Sequence, residues 1–563
     1  QEDKIMKETL RKSFALLLTV IMLVSTASVC FTVFAADGYK CNCGVTPVIY
    51  VKGRTNIYKD PSLGTGSENM AETNLSGGTD SVIEAASNIL PALGVALLTD
   101  EWDEYCDILL EEITPIYDGY KLNEDGEKGE GNITGIQTEY QIENLLARYS
   151  GRNTSHTNDA ISWAQHIQFQ YDMRLDPREN AKDFKRFVDA VKKSTGHDKV
   201  NIICRCEGNV IVNAYLNMFA EEAKNEVESV IMYNSIAMGA EIADQVYTNK
   251  VNLDPDGLNR FVNTFIDTSP VLDLVKQTVN LATFTGLLEG GTDFIMGIYD
   301  KISLNLLPRL IREVFGQCPG WWGMVSAEVV DEAVEFVLGS DNADGKYDKL
   351  IDKIYGYNEI KKATVSTLKE MQNAGVKVYI LTKYGDQMYP VIEESDLLGD
   401  GVVSLRKQSF EGATTSDLKG KLSDDYIAGR VEAGFGKYIS ADKMVDGSTA
   451  PFADYTWYIK ELKHDTYPHS VDYMALDLFY DDAYVKATES FTGLHGTYSQ
   501  FMYYEPSFEE MSHGKVEQVG ILTPLTDENK DVSKDTTDTT SRFTVLIRWF
   551  TALINFLTSL FKK

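Results

Sequence analysis

Apolar residues in this chain gather in short, nearly unbroken runs, separated by stretches where they recur every three or four positions. Val48-Ile49-Tyr50-Val51, bounded by Thr46-Pro47 and Gly53, has the length and β-branched character of a buried strand. Val200-Asn201-Ile202-Ile203 and Val376-Lys377-Val378-Tyr379-Ile380-Leu381 share that character. Residues 167–172 alternate apolar and polar side chains, and residues 229–233 and 455–459 read as two further strands. Between these runs, residues 81–98 read as helix, and Phe184, Phe187, Val188 and Val191 recur at helical spacing. Strand alternating with helix predicts an α/β fold built on a doubly wound, mostly parallel sheet.

Residues 241–375 break this rhythm. Their apolar positions in 258–265, 306–315 and 325–338 follow helical spacing, which predicts a helical cap inserted between two parts of the core, 37–240 and 376–513. Residues 470–513 are rich in aromatics and are expected to pack on the core. A polar linker, 514–541, then leads to a last segment, 542–563. Its polar residues at 544, 548, 551, 555, 558 and 562 lie on one narrow helical stripe. Arg548 in its middle argues against a simple membrane span. An amphipathic helix is expected there, either in contact with a membrane surface or docked on protein.

Composition narrows the function classes. A hydrophobic fraction of 43%, with 30 Tyr and 24 Phe, excludes disorder over most of the 563 residues. The net charge of −31 repels nucleic acid and anionic lipid, so no nucleic-acid partner is expected. Residues 1–36 carry Lys7, Arg11 and Lys12, an apolar run from Phe14 to Val24, and Val33-Phe34-Ala35-Ala36, the layout of a secretion signal. Uncleaved, the same segment would serve as an anchor. The protein is therefore expected to be secreted or extracytoplasmic. Six cysteines follow this segment (Cys41, Cys43, Cys106, Cys204, Cys206 and Cys318), with spacing that gives neither a disulfide framework nor a zinc site. No metal and no cofactor is expected.

The candidate chemistry lies at Cys204-Arg205-Cys206-Glu207-Gly208. A buried strand enters a sharp turn there and leaves it as the helix beginning Asn209-Val210-Ile211-Val212. Residues two before and two after the turn's apex must be small, and here they are Cys204 and Gly208. The apex is Cys206. This layout resembles the G-x-S-x-G nucleophile elbow of α/β-hydrolases, with Cys in place of Ser.

Other segments carry the same resemblance, toward the lipase and lecithin–cholesterol acyltransferase-like branch of that superfamily. Pro47-Val48-Ile49-Tyr50-Val51-Lys52-Gly53 resembles its oxyanion strand, and Tyr171-Asp172-Met173-Arg174 its "YDWR" segment. Tyr384-Gly385 and Gly399-Asp400-Gly401-Val402-Val403 resemble its "YG…GDGTV" segments. The resemblance implies the order nucleophile, acid, histidine, which Cys206, Asp400 and His464 satisfy. His464 follows a strand-like run and opens a polar loop; His469 is the reserve. It also implies an oxyanion hole made by backbone N–H groups of Glu207 and of the turn Gly53-Arg54. Lys52 stands where the family has His, a change that leaves the backbone donors in place.

The change of nucleophile matters more. A serine needs its base to be nucleophilic at all, whereas a thiol already supplies some thiolate at neutral pH. Beside a surface-attached structural protein, which only the terminal helix supports, two readings follow. One is an exported esterase, lipase or acyltransferase acting on an ester or lipid through an acyl-enzyme. The other is a hydrolase fold that has lost catalysis and binds a lipid or peptide.

Overall fold

The computed structural model describes residues 40–41, 44–53, 57–58, 79–117, 121–128, 134–135, 138–149, 167–252, 287–389, 392, 395–511 and 515–530. The proposed signal (1–36) and terminal helix (542–563) lie outside these residues. Eight strands form the central sheet: β1 (Val48–Val51), β2 (Gln168–Phe169), β3 (Val200–Arg205), β4 (Val227–Tyr233), β5 (Lys377–Tyr384), β6 (Thr456–Lys460), β7 (Phe501–Glu505) and β8 (Ile521–Pro524). Their spatial order is β8-β7-β6-β5-β4-β3-β1-β2. Every neighbouring pair is parallel except β7 with β8.

Side-chain alternation explains why helices cover both faces. Ile49, Val51, Ile202, Cys204, Val230, Met232, Val378 and Ile380 share one apolar cluster. The intervening Val48, Tyr50, Ile203, Ile231, Tyr233, Tyr379 and Leu381 belong to a second. The apolar residues of these strands therefore meet apolar neighbours on both faces, which is why they read as nearly unbroken apolar runs. Helices α1 (Pro177–Thr195), α2 (Gly208–Met218) and α3 (Thr364–Asn373) contribute to the first cluster, and α4 (His469–Tyr480) to the second. Helix α1 extends beyond the periodic residues because its ends are well marked. Asp176 caps it by accepting from the Arg178 N–H at 2.9 Å, Pro177 opens it, and Gly196 closes it at φ 72°. Each fully buried Val, Ile or Phe in these clusters contributes roughly 1.5–3 kcal/mol.

The described residues between β4 and β5 form helices joined by short non-helical segments. Leu287–Ile311 runs into a π turn at Arg312–Gly316, followed by Val330–Val337 and Asp348–Lys362. A separate core of Tyr247, Ile311, Trp322, Val325, Val334 and Leu350 holds this cap together. Residues 258–265 lie outside the described residues, and in 325–338 the helix begins only at Val330. The last helix of the expected cap segment, α3, packs on the sheet instead. Leu368 and Met371 reach the core cluster, so α3 is the crossover into β5.

Part of the expected linker, 514–541, is a correction. Residues 515–518 pair with residues 508–511, and Ile521–Pro524 is β8 itself. The strand is short and lies at an edge with one side exposed, so its apolar pattern is too sparse to stand out from polar surroundings. Among the described residues no helix is long and apolar enough to cross a membrane.

Candidate active site

The switch in strand order falls at β1. The chain leaves β1 for β2 on its outer side and returns to β3 on the other, so a crevice opens beyond the carboxyl ends of β1 and β3. The nucleophile candidate stands there. Cys206 follows β3 directly at φ 49°, left-handed backbone that disfavours a side chain and must be held by its surroundings. The Cys206 N–H donates to the Tyr233 carbonyl and to Asn234 Oδ1, both at 3.3 Å. Asn209, fully buried one turn along, donates through Nδ2 to the carbonyls of Cys206 (2.9 Å) and Tyr233 (3.0 Å).

At Gly208 the need for a small residue is borne out, but for a different physical reason. A Cβ on Gly208 would lie 2.5 Å from the Val51 carbonyl oxygen and 2.6 Å from that of Lys52. One on Gly53 would lie 2.6 Å from Cys206 Cβ. The crowding is therefore between the turn and the end of β1, rather than between the two positions flanking the apex.

The other two candidates meet Cys206 from loops distant in sequence. His464 Nε2 lies 3.0 Å from Cys206 Sγ, and His464 Nδ1 lies 2.8 Å from Asp400 Oδ2. Asp400 is fully buried, and its Oδ1 accepts from the N–H groups of Val402 (3.1 Å) and Val403 (2.9 Å). The His464 N–H donates to the Asp400 carbonyl at 2.9 Å. Burial works against a charged ring at His464, but the Asp400 carboxylate and Cys206 outweigh it, and its pKa is pushed up to about 10. The ring thus holds its proton at neutral pH. The reserve histidine, His469, opens α4, its ring 6.4 Å from that of Tyr473, and it is His464 that touches the sulfur.

Of the oxyanion candidates, Glu207 stands between Cys206 and the first turn of α2, and Gly53 lies against Cys206. Arg54 is outside the described residues. The turn carrying Gly53 is fixed by Tyr171, whose hydroxyl donates to the carbonyls of Gly53 (2.5 Å) and Lys52 (3.1 Å). Tyr171 opens the Tyr171–Arg174 segment that the sequence singled out. Within that segment Arg174, fully buried, forms a two-point pair with Asp172 at 3.0 and 2.8 Å. The two residues beside Cys206 in the motif are occupied elsewhere. Arg205 stacks over the rings of Tyr50 and Tyr467, both at 4.4 Å, and pairs with Asp472. Cys204 is buried with its sulfur 3.2 Å from Asn209 Oδ1, and burial pushes its pKa well up, away from thiolate chemistry.

Sequence reasoning missed two neighbours of the triad. Asn234, at φ 37°, accepts from the Cys206 N–H and places its Nδ2 3.4 Å from both ring nitrogens of His464. Lys383 reaches the backbone of the His464 loop from the end of β5. Asn234 lies in no segment singled out above, and Lys383 lies in the run leading into Tyr384-Gly385 without a role suggested by it, because both act through contacts that only the folded chain creates.

No protein-family model matches the chain, and no curated protein matches it significantly. Among solved structures it is similar to a chain from the crystal structure of the Tle4–Tli4 complex, at 11% identity over 60% of this chain and 75% of that one, with a TM-score of 0.21. The fold itself is carried by the sheet. Its strand order, parallel direction and helices on both faces are those of a doubly wound α/β-hydrolase arrangement with an inserted helical cap.

Proposed function

We propose that this protein is an acyl-transferring hydrolase that uses Cys206 as nucleophile, His464 as base and acid, and Asp400 to orient and charge the histidine. The observation that carries the reading is the continuous line from Asp400 Oδ2 to His464 Nδ1 (2.8 Å) and from His464 Nε2 to Cys206 Sγ (3.0 Å), at the end of a strained turn. In the reaction, Cys206 Sγ attacks the carbonyl carbon of an ester while His464 Nε2 holds the thiol proton. The carbonyl electrons move to oxygen, where the N–H groups of Glu207 and the Gly53-Arg54 turn would receive the charge. As the carbonyl re-forms, the C–O bond to the alcohol breaks and the leaving oxygen takes the proton from His464. Water, or a second alcohol, then attacks the thioester with its proton passing to His464, and Cys206 leaves as the sulfur that regains it.

The substrate class we favour is an ester with an apolar acyl group. Supporting it, the partly exposed cap residues Phe315, Trp321 and Met324 pack on the same apolar cluster as Cys206. The reading includes export by residues 1–36 and contact of 542–563 with a lipid surface.

The test is intact mass after incubating the protein with short- and medium-chain p-nitrophenyl esters under reducing conditions. Wild type, Cys206→Ala and His464→Ala would run in parallel. An acyl adduct that maps to Cys206, and needs His464 to form or turn over, is the expected result. No adduct and no ester turnover at any chain length would replace this reading with a binding protein on a hydrolase scaffold.

A further inference from the structure

Lys383 is the second-last residue of β5, and its side chain is wholly buried. Burial of a lysine without partners is strongly unfavourable, so what surrounds the ammonium shows why it is there. Three backbone carbonyls face it: those of Lys463 at 3.1 Å, His464 at 2.7 Å and Thr466 at 2.8 Å. Burial pushes the Lys383 pKa down to about 7, against the pull of the Asp400 carboxylate; in its charged form Nζ has three N–H donors, and this loop supplies three acceptors. The Tyr467 and Tyr233 rings lie 4.0 and 4.7 Å from Nζ and add their faces to the cage. The backbone of Lys383 is itself clamped. Its N–H donates to Gln408 Oε1 at 2.8 Å, and its carbonyl accepts from Gln408 Nε2 at 3.0 Å.

The loop that curls around this ammonium is the one that carries His464. Its N–H already donates to the Asp400 carbonyl at 2.9 Å, and its ring meets Asp400 Oδ2. Lys383 fixes the other side of that peptide through the Lys463 carbonyl, and the next peptide through the His464 carbonyl. We infer that Lys383 is a positioning residue for His464, its ammonium organising residues 463–466 so that the imidazole points at Cys206. The inference rests on the proposed role of the Cys206–His464–Asp400 line. Replacing the ammonium by an apolar side chain would remove the donor to the Thr466 carbonyl and leave the Lys463 and His464 carbonyls with the Thr466 N–H (3.1 Å) and Asn234 Nδ2 (3.4 Å), and the loop would re-form around other partners. A shift of the ring by an ångström is enough to break its bond to Sγ, and displacements of that size cost up to about a hundredfold in rate.

The experiment follows the pseudo-first-order alkylation of Cys206 by iodoacetamide against pH, read by mass spectrometry on the peptide that contains Cys206. It uses the full chain as wild type, His464→Ala, Lys383→Met and Lys383→Gln, together with kcat and KM for any p-nitrophenyl ester that is turned over. The expected result is that the Lys383→Met profile departs from wild type and approaches that of His464→Ala. Its kcat should fall about ten- to a hundredfold with KM little changed, and Lys383→Gln, which keeps a donor, should lie between. If wild type and His464→Ala differ but Lys383→Met follows wild type, even with a lower melting temperature, Lys383 is structural and the inference fails. If wild type and His464→Ala coincide, the triad reading fails and the role of Lys383 falls with it. Should Lys383→Met not fold, Lys383→Gln carries the same comparison.

Discussion

At the scale of single residues, the histidine is where geometry and electrostatics meet. Asp400 spends one carboxylate oxygen on the Val402 and Val403 N–H groups and turns the other toward His464 Nδ1. In Asp400→Asn, the amide oxygen would keep the backbone bonds, and the amide N–H₂ would then face Nδ1. That forces the imidazole to carry its proton on Nε2, where it can no longer accept one from Cys206. We expect kcat to fall by between about 10² and 10⁴, the upper figure being the loss known for the equivalent change in a serine protease triad. The pH dependence should move as well. In wild type the carboxylate keeps His464 protonated until about pH 10, so protonation of the leaving group declines only as pH rises through about 10. Without the carboxylate the main force favouring imidazolium is gone, and this alkaline limb should shift down toward the ordinary histidine value of 6.5. A pH–rate profile of the residual activity checks the direction. An alkaline limb that stays near 10 would mean Asp400 does not set the charge of His464.

At the scale of elements, what was legible in the sequence depended on burial. Strands β3 and β5 are covered on both faces, so apolar residues fall on both and the run stands out despite Asn201, Lys377 and Lys383. Cys206, Asp400 and His464 could be picked out because Cys206 follows a strand directly and the other two lie in loops after strands, in the chain order that the resemblance implies. Asn234 and Lys383 could not, since their significance lies in partners 28 to 230 and 80 to 83 residues away. Strand β7 was hidden within an aromatic-rich stretch that gives no clear period. Strand β8 was hidden because it is short and half-exposed. Yet β8 is part of the sheet: its four residues pair with Met502–Glu505, and the next residue, Leu525, is buried with its N–H donated to Phe501 at 2.9 Å. Leu525→Ala should therefore lower stability by about 2–4 kcal/mol, as for other buried leucines. The denaturant midpoint measures it, and a change within about 0.5 kcal/mol, the range of a surface substitution, would return residues 521–525 to the linker.

At the scale of the whole molecule, the cap and the acid loop are joined by a buried cluster of charge. Helix Glu241–Tyr247, just after β4, places Asp244 against the cap residue Ser326, whose N–H and hydroxyl it accepts, both at 2.6 Å. From the core side, Lys407 donates through Nζ to Asp244 Oδ2 and to Ser326 Oγ, both at 2.6 Å. The Ser404 N–H, four residues after Asp400, donates to Glu241 Oε2 at 3.1 Å. Burial opposes the Lys407 charge, but Glu241 and Asp244 outweigh it and hold its pKa above the usual lysine value. Such a cluster adds little relative to apolar residues of the same size, but part of it is costly, because without Asp244 the buried Lys407 ammonium keeps only the more distant Glu241 carboxylate, at 3.8 Å. Asp244→Ala should thus lower stability by about 3–5 kcal/mol, while adding Lys407→Met to the same chain should restore most of that loss. Urea midpoints of wild type, the two single variants and the double variant close the cycle. Recovery in the double variant identifies the under-compensated ammonium as the cause of the loss. A double variant as unstable as Asp244→Ala would instead mean that the bonds from Asp244 to Ser326 inside the cap carry the loss, with the charge of Lys407 incidental to them.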